Sequence, residues 1–105
     1  MAKQKASQNG GSKDLNKSIE NAEIEFPVTF ILKAVMDNLG TDDLNKETIV
    51  MVLDNQEIKN KYLNSKKSSK GTYTSYHYEV TLISKLQMET MYEQLKTLPG
   101  LKFAL

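Results

Sequence analysis

His77 is the only histidine of this 105-residue chain, and the chain has no cysteine. A lone imidazole can act as a base or a ligand, but either role needs company. Without a second His or any thiolate, a metal site would have to be assembled from scattered carboxylates, and no thiol nucleophile or disulfide is available. His77 is therefore read as a solvated strand residue. Asp42 and Asp43 are the paired carboxylates, and they follow Thr41 at a helix start, where the helix dipole accounts for them. Lys70-Gly71 opens a run that resembles the start of an RNA-binding strand motif. That motif stacks bases on aromatics at its third and fifth positions, and here those positions are Thr72 and Thr74. All fourteen basic residues are Lys. A planar bidentate clamp on phosphate or carboxylate is an Arg property, so composition argues against a phosphoryl-transfer site of the acylphosphatase kind. No Gly-rich phosphate loop is present, and nothing in the sequence points to catalysis or implies a cofactor.

The elements that position these residues follow from periodicity. Ile24, Phe26, Val28, Phe30 and Leu32 alternate with Glu25, Pro27, Thr29, Ile31 and Lys33, which predicts a first strand. Pro27, lacking a ladder donor, suggests a sheet edge or a place where its nitrogen faces away from any neighbouring strand. Asp37-Asn38-Leu39-Gly40 reads as a loop, and Thr41 as the N-cap of a helix running to about Gln56. Its expected inner stripe is Leu44, Thr48, Met51 and Val52, widened by Ile49 and Leu53. The run Ile49-Val50-Met51-Val52-Leu53 could equally form a buried strand, and the cap signal and the length favour the helix. The lysine-rich stretch from Ile58 to Lys67 reads as a solvated edge strand, where Lys discourages edge-to-edge pairing. A Gly-containing turn at Ser69-Lys70-Gly71 leads into a strand with Tyr76, Tyr78, Val80 and Leu82 on one face and Ser75, His77, Glu79 and Thr81 on the other. Gly71 is expected to supply a positive φ.

Ser84 and Gln87 have capping-box spacing. Met88, Met91, Tyr92, Leu95 and Leu98 then recur at three- and four-residue intervals, an amphipathic helix ended by Pro99-Gly100. Leu101, Phe103 and Leu105 alternate in a short closing strand. The order β-α-β-β-α-β predicts an α+β protein, a ferredoxin-like plait with two helices on one face of a four-stranded antiparallel sheet. The other face should carry Thr29, Ile31 and Lys33 beside Ser75, His77 and Glu79, a polar and lightly used surface.

Residues 1–22 are polar, with Leu15 and Ile19 their only large aliphatics, and are expected to form a disordered tail. The folded domain is expected over 23–105. The tail carries four Lys against two acids, and residues 23–105 carry ten Lys against eleven acids. A body this close to neutral weighs against a dedicated nucleic-acid binder. With no secretory h-region and no membrane-length apolar run, the expectation is a soluble cytoplasmic protein.

Phe26-Pro27, the element Ser68-Ser69-Lys70-Gly71-Thr72-Tyr73, Met91-Tyr92-Glu93-Gln94-Leu95 and the apolar closing strand together resemble the YbeD-like family of bacterial proteins. The resemblance covers residues 23–105, and the stretch from Asp37 to Asn60 matches least. It implies a ferredoxin-like fold similar to ACT-type regulatory domains, with no enzymatic activity attached. The resulting expectation is a non-catalytic regulatory or interaction module. Its candidate contact residues are Thr29, Ile31, Ser75 and His77 on the open face, with Ser69 and Lys70 at the hairpin. Its partner would be another protein, a second copy in a homodimer or a small effector, with no role for membrane. The alternative is weak RNA binding through Lys59, Lys61, Lys66, Lys67 and Lys70.

Overall fold

The computed structural model describes residues 24–105; the expected tail lies outside them. Strand β1 (Val28–Asp37) is followed by helix α1 (Asp42–Asn55), strands β2 (Lys59–Lys67) and β3 (Tyr73–Leu82), helix α2 (Lys85–Lys96) and strand β4 (Leu101–Ala104). The sheet order is β2-β3-β1-β4, antiparallel throughout, so the ferredoxin-like plait is the fold. β1 is thus an inner strand, so of the two placements open to Pro27 the sheet edge is excluded. Pro27 lies one residue before β1, where its missing N–H disturbs no ladder bond. The alternation from Ile24 is real in packing, since Ile24 and Phe26 lie against the core, but the ladder starts only at Val28.

One face of the sheet and both helices enclose the core. Leu32, Ala34 and Met36 of β1 meet Tyr76, Tyr78, Val80 and Leu82 of β3 beneath Ile49 and Leu53 of α1 and Met88, Met91, Tyr92 and Leu95 of α2. Both caps form as the residue types dictate. The Thr41 hydroxyl accepts from the Leu44 N–H at 3.1 Å and the Ser84 hydroxyl from the Gln87 N–H at 3.1 Å. The Gln87 carboxamide oxygen in turn accepts from the Ile83 N–H at 2.8 Å.

The inner stripe of α1 differs from the expected one. Asn45, Ile49 and Leu53 are buried, whereas Leu44 is 51% and Met51 55% exposed. Polar anchoring accounts for the rotation. The Asn45 amide donates to the Asp37 carbonyl (3.2 Å) and the Tyr76 hydroxyl (3.3 Å), and that hydroxyl donates to Asp42 at 2.8 Å. These bonds fix which side of the helix faces the sheet, and Ile49 and Leu53 follow at i+4 and i+8.

The β2–β3 hairpin closes through Ser68 N–H to Tyr73 O (2.8 Å) and Gly71 N–H to Ser68 O (2.9 Å), with Gly71 at φ 74°. A Cβ at Gly71 would meet nothing within 4 Å, so any penalty for a side chain there is backbone strain alone. Gly71→Val is accordingly expected to lower the unfolding free energy by about 1 kcal/mol or more, with Gly71→Asn recovering part of it. Lys70→Ala should leave denaturant melts unchanged. A wild-type melt for Gly71→Val would remove this account of the turn.

Candidate functional site

The two helices lie on one side of the sheet, and no element of the described residues covers the other side. Cross-strand register places its side chains in rows: Thr29–Thr81–Lys59, Ile31–Glu79–Lys61, Lys33–His77–Asn64 and Val35–Ser75–Lys66. β4 adds Phe103 beside Val35, and Leu105 is paired to Lys33 through two backbone bonds of 2.9 and 3.0 Å. Of the expected contact residues, Thr29, Ile31, Ser75 and His77 therefore share this face. Ser69 and Lys70 do not; they stand at the exposed hairpin tip beyond the end of the sheet.

Chemically the face has three bands. Along β2 runs a column of exposed lysines, Lys59, Lys61 and Lys66. Along the β1/β4 side lies an apolar patch in which Ile31 is 56% and Phe103 43% exposed, joined by the half-buried Leu105. Between them β3 presents Thr81, Glu79, His77 and Ser75. The Thr29 and Thr81 hydroxyls, 2.8 Å apart, tie the bands at one end. Counting Lys33, the face has four lysines against the single carboxylate of Glu79. The helices carry the opposite balance, six carboxylates (Asp42, Asp43, Glu47, Asp54, Glu89, Glu93) against Lys46, Lys85 and Lys96. The near-neutral total conceals a polarised molecule, basic on the sheet and acidic on the helices. Among the described residues the only salt bridge is Lys85–Glu89 on α2, at 4.0 Å, so none of the face lysines is paired.

Register also divides the lysines grouped under the RNA-binding alternative. Lys59, Lys61 and Lys66 share the open face, Lys67 opposes Thr74 on the helix side, and Lys70 is at the hairpin tip. A β-bulge between Tyr62 and Asn64 shifts the pairing, yet Asn64 and Lys66 still face outward. Tyr62 lies on the helix side, edge-on to Tyr78 at 5.4 Å between ring centroids and beneath the Lys46 ammonium at 4.7 Å.

A shallow cleft of about 510 Å³ lies at the sheet end where the β1–α1 turn, the hairpin and the α2–β4 turn converge. Its lining includes Asp37, Asn38, Tyr73, Gly100 and Lys102. Asn38 holds the turns together, donating to Gly71 O and accepting from the Thr74 hydroxyl, each at 2.7 Å. Its amide is thereby committed to the fold. The described residues include no grouping of three His, Asp or Glu able to hold a metal ion, and no helix long and apolar enough to cross a membrane.

A family model described as "Protein of unknown function (DUF493)" matches residues 21–105. The chain is also 38% identical, over 79 residues, to a UPF0250 protein of Shewanella piezotolerans, covering 75% of this chain and 86% of the relative. The UPF0250 protein of Shewanella sediminis matches to the same extent. The chain belongs to the DUF493 family. The YbeD-like resemblance of the sequence is thereby borne out. Among solved structures, HP0495 from H. pylori superposes with a TM-score of 0.60 at 14% identity, covering 96% of this chain and 98% of its own. The C-terminal domain of the MgtC protein from Mycobacterium tuberculosis gives 0.60 at 10% identity, covering 80% and 89%. At these identities the likeness shows the fold alone.

Proposed function

We propose that this DUF493 protein is a non-catalytic interaction module, of the ACT-like regulatory kind, that works by presenting its open sheet face to a protein partner. The observation that carries the reading is the coincidence on one face, uncovered among the described residues, of lysines with no ion-pair partner among those residues and the exposed Ile31 and Phe103. An apolar patch rimmed by polar groups is the usual form of a contact surface.

RNA binding is the second reading, favoured by the β2 lysine column. Against it, the β3 side chains at the centre of the face are Thr81, Glu79, His77 and Ser75, while Tyr76 and Tyr78 are fully buried, so the face has few stacking platforms.

Site-specific photo-crosslinking separates these readings. A benzophenone side chain placed at Ser75 or Ile31 is expected to yield protein adducts in cells, and one at Glu89 on α2 to yield few. Adducts chiefly from Glu89 would displace the open face as the contact surface. Nucleic-acid adducts at Ser75 would replace the protein partner with RNA.

A further inference from the structure

We propose that the open face receives an acidic amphipathic helix from a partner protein. Its carboxylates would lie over Lys59, Lys61 and Lys66, and its aliphatic side chains on Ile31, Phe103 and Leu105. This deepens the interaction-module reading and rests on it. The lysine column and the apolar patch lie on the two margins of the sheet, about 14 Å apart from β2 to β4 at ~4.8 Å per strand spacing. β3 supplies the floor between them, with the short side chains Thr81 and Ser75 at its ends and Glu79 and His77 at its centre. A helix about 10–12 Å across can lie along this floor and touch both margins.

An extended segment would suit the face less well. Laid across side chains rather than along a strand edge, it would turn its backbone N–H and C=O groups towards apolar atoms, whereas a helix satisfies those groups internally. The face also sets the length. Thr81 to Ser75, opposite Lys59 and Lys66, spans about 20 Å of strand, which corresponds to about 14 helical residues. Glutamates at i, i+4 and i+11 lie along one stripe within about 40°, at about 6 and about 16.5 Å along the axis, and the flexible lysine stems make up the difference from the column's spacing of about 7 and about 20 Å. Lys33 stands between Ile31 and Val35 and offers a further cation for a carboxylate at the centre.

Charge complementarity selects the partner's chemistry. The face carries lysines as point charges, no Arg fork for a planar phosphate, and Glu79 in the middle, where a continuous phosphate backbone would be repelled. A helix can leave a neutral residue over Glu79, but a nucleic-acid strand repeats its charge at every step. Interfacial charges of this kind raise association rates and select partners, and their contribution weakens with salt.

The test uses the full chain, labelled with nitrogen-15, and three probes. The first is an 18-residue Ala-based peptide with Glu at those three positions and Leu on the adjoining stripe. The others are a scrambled peptide of the same composition and a single-stranded U-rich RNA 12-mer. The expected result is amide shift changes at Ile31, Ser75, His77 and Phe103 with the designed peptide, and none across α1 or α2. Both the triple variant Lys59→Gln/Lys61→Gln/Lys66→Gln and Ile31→Ser are expected to weaken binding about tenfold or more, with wild-type spectra elsewhere confirming that they fold. Equal binding of the scrambled peptide, shifts confined to the helices, or unchanged affinity in the triple variant would overturn the proposal, as would tighter binding of the RNA. If the peptide fails while open-face protein crosslinks persist, the acidic helix is wrong and the interaction module stands. If both fail, both readings fall.

Discussion

Leu95→Ala is expected to lower the unfolding free energy by about 2–5 kcal/mol, the largest effect of any single substitution considered for this domain. Leu95 is fully buried on α2 and shares the core with Met91, Leu53 and the sheet residues beneath them. Truncation removes the transfer free energy of the lost carbons and leaves a void that close-packed neighbours fill only in part. A domain of this size has about 5–15 kcal/mol in all, so the variant should show a much lower urea midpoint at unchanged m-value. His77→Ala supplies the contrast. His77, expected to be solvated, lies half-buried on the open face with its Nδ1 buried and without a hydrogen-bond partner among the described residues, so its loss should cost about 1 kcal/mol or less, well below Leu95. Similar losses at the two positions would mean that the two faces of the sheet are assigned the wrong way round.

That contrast follows from what the sequence makes legible. β3 and α2 are read nearly in full because their patterns are strict: Tyr76, Tyr78, Val80 and Leu82 are fully buried, and Met88, Met91, Tyr92 and Leu95 form the inner stripe of α2, while Leu98 falls beyond the helix end at Lys96 and packs only half-buried against the core. Helix α1 is the opposite case. From Thr48 to Leu53 every residue is apolar or β-branched, so periodicity cannot say which side turns inward. The decision falls to Asn45, a polar residue that a hydrophobic pattern places outside. Its bonds to Asp37 O and the Tyr76 hydroxyl depend on elements far along the chain.

The open face is half legible. Alternation alone put Thr29, Ile31, Ser75 and His77 on one side, and the register agrees. Composition could not show that charge separates by layer, because the total of Lys and acids is nearly balanced whatever the arrangement. The lysines of β2 join the face only once that strand is paired to β3, and its bulge changes their parity midway. Phe103 and Leu105 join it through β4 pairing beside β1, a contact across some 70 residues of chain. A period-2 reading of Lys59, Lys61 and Lys66 also fails at the bulge, where Lys66 keeps its face only because of the inserted residue.

The buried tyrosines make the domain sensitive to alkali, and the sign follows from their burial. Removal from water disfavours the phenolate and pushes Tyr92 and Tyr78 up to about 12; burial likewise raises Tyr76. The unfolded chain titrates its tyrosines near 10. Below that pH both states hold the proton and the tyrosines' contribution is fully present. Between about 10 and 12 the unfolded state releases protons that the folded state keeps, and stability falls by ~1.4 kcal/mol per pH unit for each such tyrosine. Urea melts at stepped pH should therefore be insensitive to the tyrosines up to about pH 9.5 and steepen above 10. Tyr92→Phe isolates the effect. The Tyr92 hydroxyl is buried with no hydrogen-bond partner among the described residues, so removing it should be neutral or slightly stabilising at pH 7. The Tyr78 hydroxyl donates to the Lys46 carbonyl, at 3.4 Å, so Tyr78→Phe loses a contact that Tyr92→Phe does not. In the alkaline range Tyr92→Phe should lose stability more slowly than the wild type, by ~1.4 kcal/mol per pH unit. Parallel alkaline slopes for the two proteins would show that the Tyr92 phenol reaches water in the folded state, and that α2 packs on the sheet less closely than its buried stripe requires.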